Sequence, residues 1–311
     1  MQSVWRILPP DIAGPIRRLP SDRLAGLEEI RLRVGRPVEL ALGGTPVFLD
    51  SSPAFDLSHV RFVIDRLGEF SLYTLEEELR RGFVTIQGGH RVGLSGKVVT
   101  ESGRVKMIRD ISSFNIRIAR QKIGAARPLV SRLFQNGRWL NTLIVGPPQT
   151  GKTTLLRDLA RIISAGEGPH APLKVGIVDE RSEIAGCVKG VPQNDFGVRV
   201  DVLDACPKAE GMMMMIRSMS PDVLVVDEIG RPEDAEALIE ALNAGVTVLA
   251  SAHGFSYEQL LKRPSLRPLI RHRLFERFVL LSRRQGPGSV DSILDESGRA
   301  IQRAMERVGR L

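Results

Sequence analysis

Apolar residues follow two rhythms along this chain, and the change falls near residue 140. In the first part they alternate with polar ones. Ile30, Leu32 and Val34 stand between charged neighbours, Gly35-Arg36-Pro37 makes a turn, and Val38, Leu40 and Leu42 alternate again before Gly43-Gly44. That is the period of a half-buried hairpin, which Val47-Phe48-Leu49 extends into a small sheet. The same rhythm predicts strands over Phe83 to Gln87, His90 to Val99, Val105 to Ile108 and Ser113 to Ala119, with turns at Gly88-Gly89 and Glu101-Ser102-Gly103. Helical spacing covers residues 1 to about 30, cut by Pro9-Pro10 and Pro20. It returns over 57–81, where Val60, Val63, Ile64 and Leu67 lead to Leu72, Leu75 and Leu79. The expectation is an α+β domain over residues 1–122 built on an antiparallel meander, then a linker and short helix over 123–140.

From Asn141 the apolar runs become short and solid. Leu143 to Val145, Lys174 to Val178, Val223 to Val226, Val246 to Ala250 and Phe278 to Leu281 read as buried strands. Met212 to Met219 and Glu233 to Ala244 read as helices between them. Strands covered on both faces lose the alternation, so residues 141–311 form an α/β domain with a mainly parallel sheet. Functional residues in such sheets gather at the carboxyl ends of the strands. Three of these runs end in Asp179-Glu180-Arg181, Asp227-Glu228 and Ser251-Ala252-His253-Gly254.

A fourth run carries the most specific chemistry. Gly146-Pro147-Pro148-Gln149-Thr150-Gly151-Lys152-Thr153 fits G-x-x-x-x-G-K-[ST] and stands between a strand and a helix marked by Leu155, Leu156, Leu159, Ile162 and Ile163. Gly146 and Gly151 let the backbone curl so that N–H groups point at phosphate oxygens, and the new helix adds its positive end. Lys152 supplies charge to the β- and γ-phosphates and Thr153 a hydroxyl for Mg²⁺. Gly146 through Thr154 are therefore the candidate nucleotide-binding residues. Asp227 is placed to hold the Mg²⁺ shell opposite Thr153, and Glu228 to polarise an attacking water. Glu180 is a second candidate for water or metal, unless the segment Asp179 to Glu183 only caps a helix. His253 either senses the γ-phosphate or is structural. Met212 to Met215 spread around a helix and suit flexible packing in a core or a subunit contact.

Composition narrows the classes. A hydrophobic fraction of 42% and a charged fraction of 26% in 311 residues suit a globular protein of two domains. No apolar run approaches the roughly 18 residues of a membrane span, and the amino terminus does not predict a secretory leader. Cys187 and Cys206 have no metal spacing and read as free thiols of a reducing cytosol. The net charge of +8 is uneven, with 21 lysines and arginines against 14 acidic residues before residue 137 and 23 against 22 after it. A basic first domain permits nucleic-acid or lipid contact, a solvated face, or arginines aimed at nucleotide. Aromatics at 5% leave few stacking platforms for single strands, so nucleic acid is possible but not favoured. Arg91, Arg109, Arg117 and Arg120 lie on or beside predicted strands, where a guanidinium can grip phosphate or pair with neighbouring carboxylates.

In combination, Gly146 to Thr153, Asp179 to Glu183, Asp227-Glu228 and Ser251 to Gly254 resemble the nucleotide loop, aspartate box, acidic strand end and histidine box of the secretion ATPase superfamily, in that order. This is the superfamily of type II and type IV secretion and pilus machines. Segments Leu27 to Pro37, Gly88 to Gly96, Arg109 to Arg120 and Val178 to Gly186 look like those of its sporulation branch in endospore-forming bacteria. The resemblance implies a RecA-like P-loop domain behind a smaller α+β domain. It implies an ATPase using ATP and Mg²⁺, a cytoplasmic ring hexamer peripheral to the inner face of the mother-cell membrane. Its partners would be integral membrane components of a channel between mother cell and forespore. An amino-terminal domain that closes over nucleotide makes Arg109, Arg117 and Arg120 candidate arginine fingers. Paired C-x-x-C motifs of many pilus-assembly members are missing from the sequence, so no zinc region is expected. Competing classes are a nucleic-acid-dependent RecA-like ATPase, a non-hydrolysing nucleotide switch and a small-molecule kinase.

Overall fold

The computed structural model describes residues 1–49, 51–68, 80, 82–101, 103–168, 170–284 and 286–303. Contacts divide the chain into two units, Met1–Arg120 and Gln121–Leu311.

The first unit opens with three short helices, Gln2–Ile7, Pro10–Arg17 and Ser21–Ala25. Pro10 starts the second, where its missing N–H would have had no intrahelical partner. Then come β1 (Leu27–Arg33), β2 (Glu39–Leu42), β3 (Thr45–Phe48), a helix Leu57–Gly68, β4 (Phe83–Ile86), β5 (His90–Glu101) and β6 (Arg104–Arg117). The periodicity expected beyond the helix, at Leu72, Leu75 and Leu79, lies outside the described residues. The sheet runs β3-β2-β1-β6-β5-β4, antiparallel throughout. Its register places Ile30 beside Ile116 and Val92, and Leu32 beside Phe114 and Leu94. These rows bury against Val4, Ile12, Ile16, Val60 and Val63 of the helices. The alternate row, Glu29, Arg117 and Arg91, is polar. Two strands expected over Val105–Ile108 and Ser113–Ala119 are one, β6. Asp110, at φ 46°, bends the strand without ending it.

In the second unit, a helix Arg127–Leu133 and a small hairpin, β7 (Phe134–Gln135) with β8 (Arg138–Trp139), precede the large sheet. The buried Asp158 accepts N–H groups of Gly124 and Ala126 at 3.1 and 2.7 Å, which fastens the segment before that helix to the helix Lys152–Ala165. The remaining strands are β9 (Thr142–Val145), β10 (Val175–Asp179), β11 (Val200–Asp204), β12 (Val223–Val226), β13 (Thr247–Ala252), β14 (Arg277–Ser282), β15 (Ser289–Asp295) and β16 (Ala300–Arg303). Their order is β11-β10-β12-β13-β9-β14-β15-β16, parallel as far as β14 and antiparallel after it. Every residue of β9, β10 and β12 is buried. Ile144, Val225 and Leu249 face a core shared with the helix Lys152–Ala165. Leu143, Val226 and Ala250 face the core of the helices Lys208–Met219 and Pro232–Asn243. The four methionines divide accordingly: Met212 and Met215 are buried, Met213 is partly so, and Met214 is exposed. Both cysteines are free thiols.

Candidate functional site

Parallel register assembles the site. Val226 pairs with Ala250, and Ala252 with Val145, so Asp227, Ser251 and Gly146 arrive at neighbouring strand ends. The loop from Gly146 leaves β9 and enters its helix at Lys152. Gln149 and Gly151 take positive φ, 63° and 91°. Gly146 is needed for space rather than torsion, because a Cβ there would lie 2.6 Å from Thr150 Oγ1 and 3.0 Å from Leu281 Cβ. Thr150 Oγ1 donates to the Pro147 carbonyl at 2.8 Å, closing the turn.

Lys152 is 4% exposed, and its ammonium donates to the Gly146 and Pro147 carbonyls, both at 3.0 Å. Burial holds it below the usual lysine range; Asp227 and Glu228 oppose that, and Arg283 adds to it. Thr153 Oγ1 donates to Asp227 Oδ2 at 2.5 Å, while the buried Ser251 hydroxyl donates to Oδ1. Ser251 Oγ in turn accepts the Glu228 N–H at 3.0 Å, so one hydroxyl fixes both acidic residues. Glu228 adopts φ 54°. Thr153 and Asp227 thus offer adjacent hard oxygen donors, the kind Mg²⁺ takes while keeping phosphate and water oxygens in its shell.

The two other sequence-derived carboxylates are placed differently. Asp179 accepts N–H groups of Glu183, Ile184 and Ala185 at 2.8–2.9 Å, organising its own loop; burial nevertheless pushes its carboxyl up. Glu180 lies in the same cluster but accepts from Lys208 Nζ at 2.7 Å. His253 Nε2 meets Glu228 Oε1 at 3.1 Å. Thr154 is the third residue of the loop helix and half-buried. Arg109, Arg117 and Arg120 belong to the first unit. Arg109 is exposed, Arg117 lies 3.4 Å from Glu29, and Arg120 donates to the Leu24 and Leu27 carbonyls at 2.9 Å.

Three residues join the site without a sequence signal. Arg283, just past β14, donates to the Pro148 carbonyl at 3.0 Å, and Gly288 N–H to the Thr150 carbonyl at 2.8 Å. Arg157, one turn into the loop helix, donates to the Glu183 and Ile184 carbonyls at 2.6 and 2.7 Å. No motif spacing marks such contacts, since each depends on strand order.

The chain is 57% identical over 303 residues to stage III sporulation protein AA of Bacillus subtilis (strain 168), covering 97% of this chain and 98% of that protein. Among solved structures it is similar to the Yersinia pseudotuberculosis ATPase DotB, with TM-score 0.58 and 16% identity, covering 88% of this chain and 77% of that one. It is similar too to the pilus retraction motor PilT with bound ADP, with TM-score 0.57 and 17% identity over 84% of this chain and 78% of that one. These likenesses establish the fold: a RecA-like domain with a mostly parallel sheet behind a unit built on an antiparallel one. Among the described residues no helix is long and apolar enough to cross a membrane. The family described as sporulation stage III, protein AA matches residues 2–301, and the chain belongs to that family.

Proposed function

We propose that this protein is an ATP-hydrolysing motor whose turnover energises assembly of, or transport through, a membrane-spanning complex. The observation that carries the reading is the Thr153–Asp227–Ser251–Glu228 arrangement beside a P-loop. Backbone N–H groups and Lys152 would hold the phosphates, Thr153 and Asp227 the Mg²⁺, and Glu228 the attacking water. Mg²⁺ would neutralise charge on the β- and γ-phosphates. The family supports a place in sporulation, and the complex would be a channel between mother cell and forespore. The protein would work as a ring hexamer on integral membrane partners, from the cytoplasmic face of the mother cell. Arg109, Arg117 or Arg120 would act as an arginine finger.

The test is ATP turnover by the full chain and by two isosteric variants. Glu228→Gln is expected to keep ATP and Mg²⁺ binding and to lose about 10²- to 10⁴-fold in kcat. Glu180→Gln is expected to lose far less, because its carboxylate is engaged by Lys208. The reverse ranking would move the base to Glu180, and turnover that requires added DNA would favour a nucleic-acid motor.

A further inference from the structure

Beside the Thr153–Asp227 pair runs a second chain of charges that links the segments after four strands, β9, β10, β12 and β13. Lys152 Nζ faces His253 Nδ1 at 3.4 Å, and His253 Nε2 faces Glu228 Oε1 at 3.1 Å. Arg181 Nη1 meets Glu228 Oε2 at 2.7 Å, and Arg181 Nη2 meets Glu183 Oε1 at 3.0 Å. An ammonium can only donate, so His253 Nδ1 accepts and Nε2 carries the hydrogen given to Glu228. Both Glu228 oxygens therefore have a donor, and one of those donors is a permanent cation.

The two donors differ in what could move them. His253 is joined to Lys152, and phosphate in the loop competes for that ammonium, so nucleotide reaches Glu228 from this side. Arg181 makes its contacts with Glu228 and with Glu183, which offers it a second seat. Each Glu228 oxygen can still accept a water, but the Arg181 cation fixes the direction of the carboxylate and offsets the charge with which it would polarise that water. We propose that Arg181 is a positioning residue that parks the Glu228 carboxylate, and that its transfer towards Glu183 releases hydrolysis. This rests on the reading of Glu228 as the group that orders the attacking water. Glu228 has a short tether for such a switch, since its N–H is fixed on Ser251 while its side chain carries the two ionic contacts.

The test compares the full chain with Arg181→Gln, Arg181→Lys and Glu183→Gln, all at saturating Mg-ATP. Binding of a nonhydrolysable ATP analogue is titrated in parallel. Arg181→Gln is expected to raise kcat about fivefold, the scale of a half-exposed ion pair. Glu183→Gln strengthens the hold on Glu228 and is expected to lower kcat about threefold. Arg181→Lys keeps the charge without the fork and is expected to fall between wild type and Arg181→Gln. Analogue affinity should stay within about twofold in all three, because none of the exchanged contacts touches the loop. The Arg181 side chain is 54% exposed, so its substitution leaves the core intact. A kcat for Arg181→Gln at or below that of wild type overturns the proposal. A wild type that binds the analogue yet never hydrolyses ATP overturns the hydrolytic reading itself, and that result is distinct from a hydrolysing wild type without a faster variant.

Discussion

The two units bury charge in opposite ways. In the first, the buried polar side chains among the described residues are two histidines, His59 and His90. In the second they include Lys152, Asp158, Arg161, Asp179, Lys208, Asp234 and Arg277. Sheet type accounts for the part of the contrast that lies at the strands, while Asp158, Arg161, Lys208 and Asp234 are buried on helices. An antiparallel sheet with one covered face sends its polar residues to the other face, as with Glu29, Arg117 and Arg91 in adjacent strands. A parallel sheet covered on both faces leaves polar groups only its strand ends, and in-register pairing then crowds those ends together. Asp227, Ser251 and Gly146 meet for that reason.

The strongest challenge to this contrast is Lys152→Ala. It should reduce turnover by more than about 10²-fold in kcat/KM while the chain stays folded, as judged by circular dichroism. Near-normal turnover would show that the crowded strand ends are not the site. The arginines of the first unit come next. At least one of Arg109→Ala, Arg117→Ala and Arg120→Ala is expected to lower kcat on the order of 10³-fold with ATP affinity largely kept. Arg120 is already committed to two carbonyls, so its loss should also lower the melting temperature, whereas Arg109 is exposed. Should all three retain full turnover, none of them is an arginine finger. Ser251→Ala ranks third. It removes the hydroxyl that orients Asp227 and caps Glu228, and the Mg²⁺ concentration for half-maximal turnover should rise about 10- to 100-fold.

The smallest effect concerns stability. Burial pushes the His90 imidazole down to about 4, with the amino terminus adding to the shift. The unfolded chain therefore takes up that proton first as pH falls. The stabilisation is fully present above about pH 6.5 and is lost between there and pH 4, on the order of 1–3 kcal/mol. Trp5 reports the first unit once Trp139→Phe removes the second tryptophan. Its unfolding midpoint in urea should drop over that pH window, and His90→Gln should flatten the drop. An unchanged slope in that variant would assign the acid sensitivity to other groups.

Much of this organisation is legible in one dimension, because strand, glycine loop and helix are contiguous and the buried strands are short unbroken runs. What escaped is long-range or ambiguous. Val200–Asp204 is an edge strand of half-buried residues, and Ser289–Asp295 mixes polar and apolar positions; neither stands out as an apolar run. The alternation breaks between Ile108 and Ser113, so one strand reads as two, yet the backbone absorbs the bend at Asp110 and pairing resumes at Ser113. Glu228, Asp227 and His253 could be named from strand ends alone. Arg181 stands at such a strand end too, but no motif marks its pairing with Glu228, and Arg283 lies past a strand with no motif of its own.

The clamp on the P-loop has a mechanical side. Leu281 packs against Gly146, Arg283 holds the Pro148 carbonyl and Gly288 holds that of Thr150, so the β14–β15 hairpin grips the loop at three points. A loop tethered only at its two ends would be soft; this one is stiffened along its length by a strand pair that is not part of the motif. The phosphate cradle therefore leans on three neighbours, the strand and helix of its own motif and a hairpin that lies about 135 positions further along the chain.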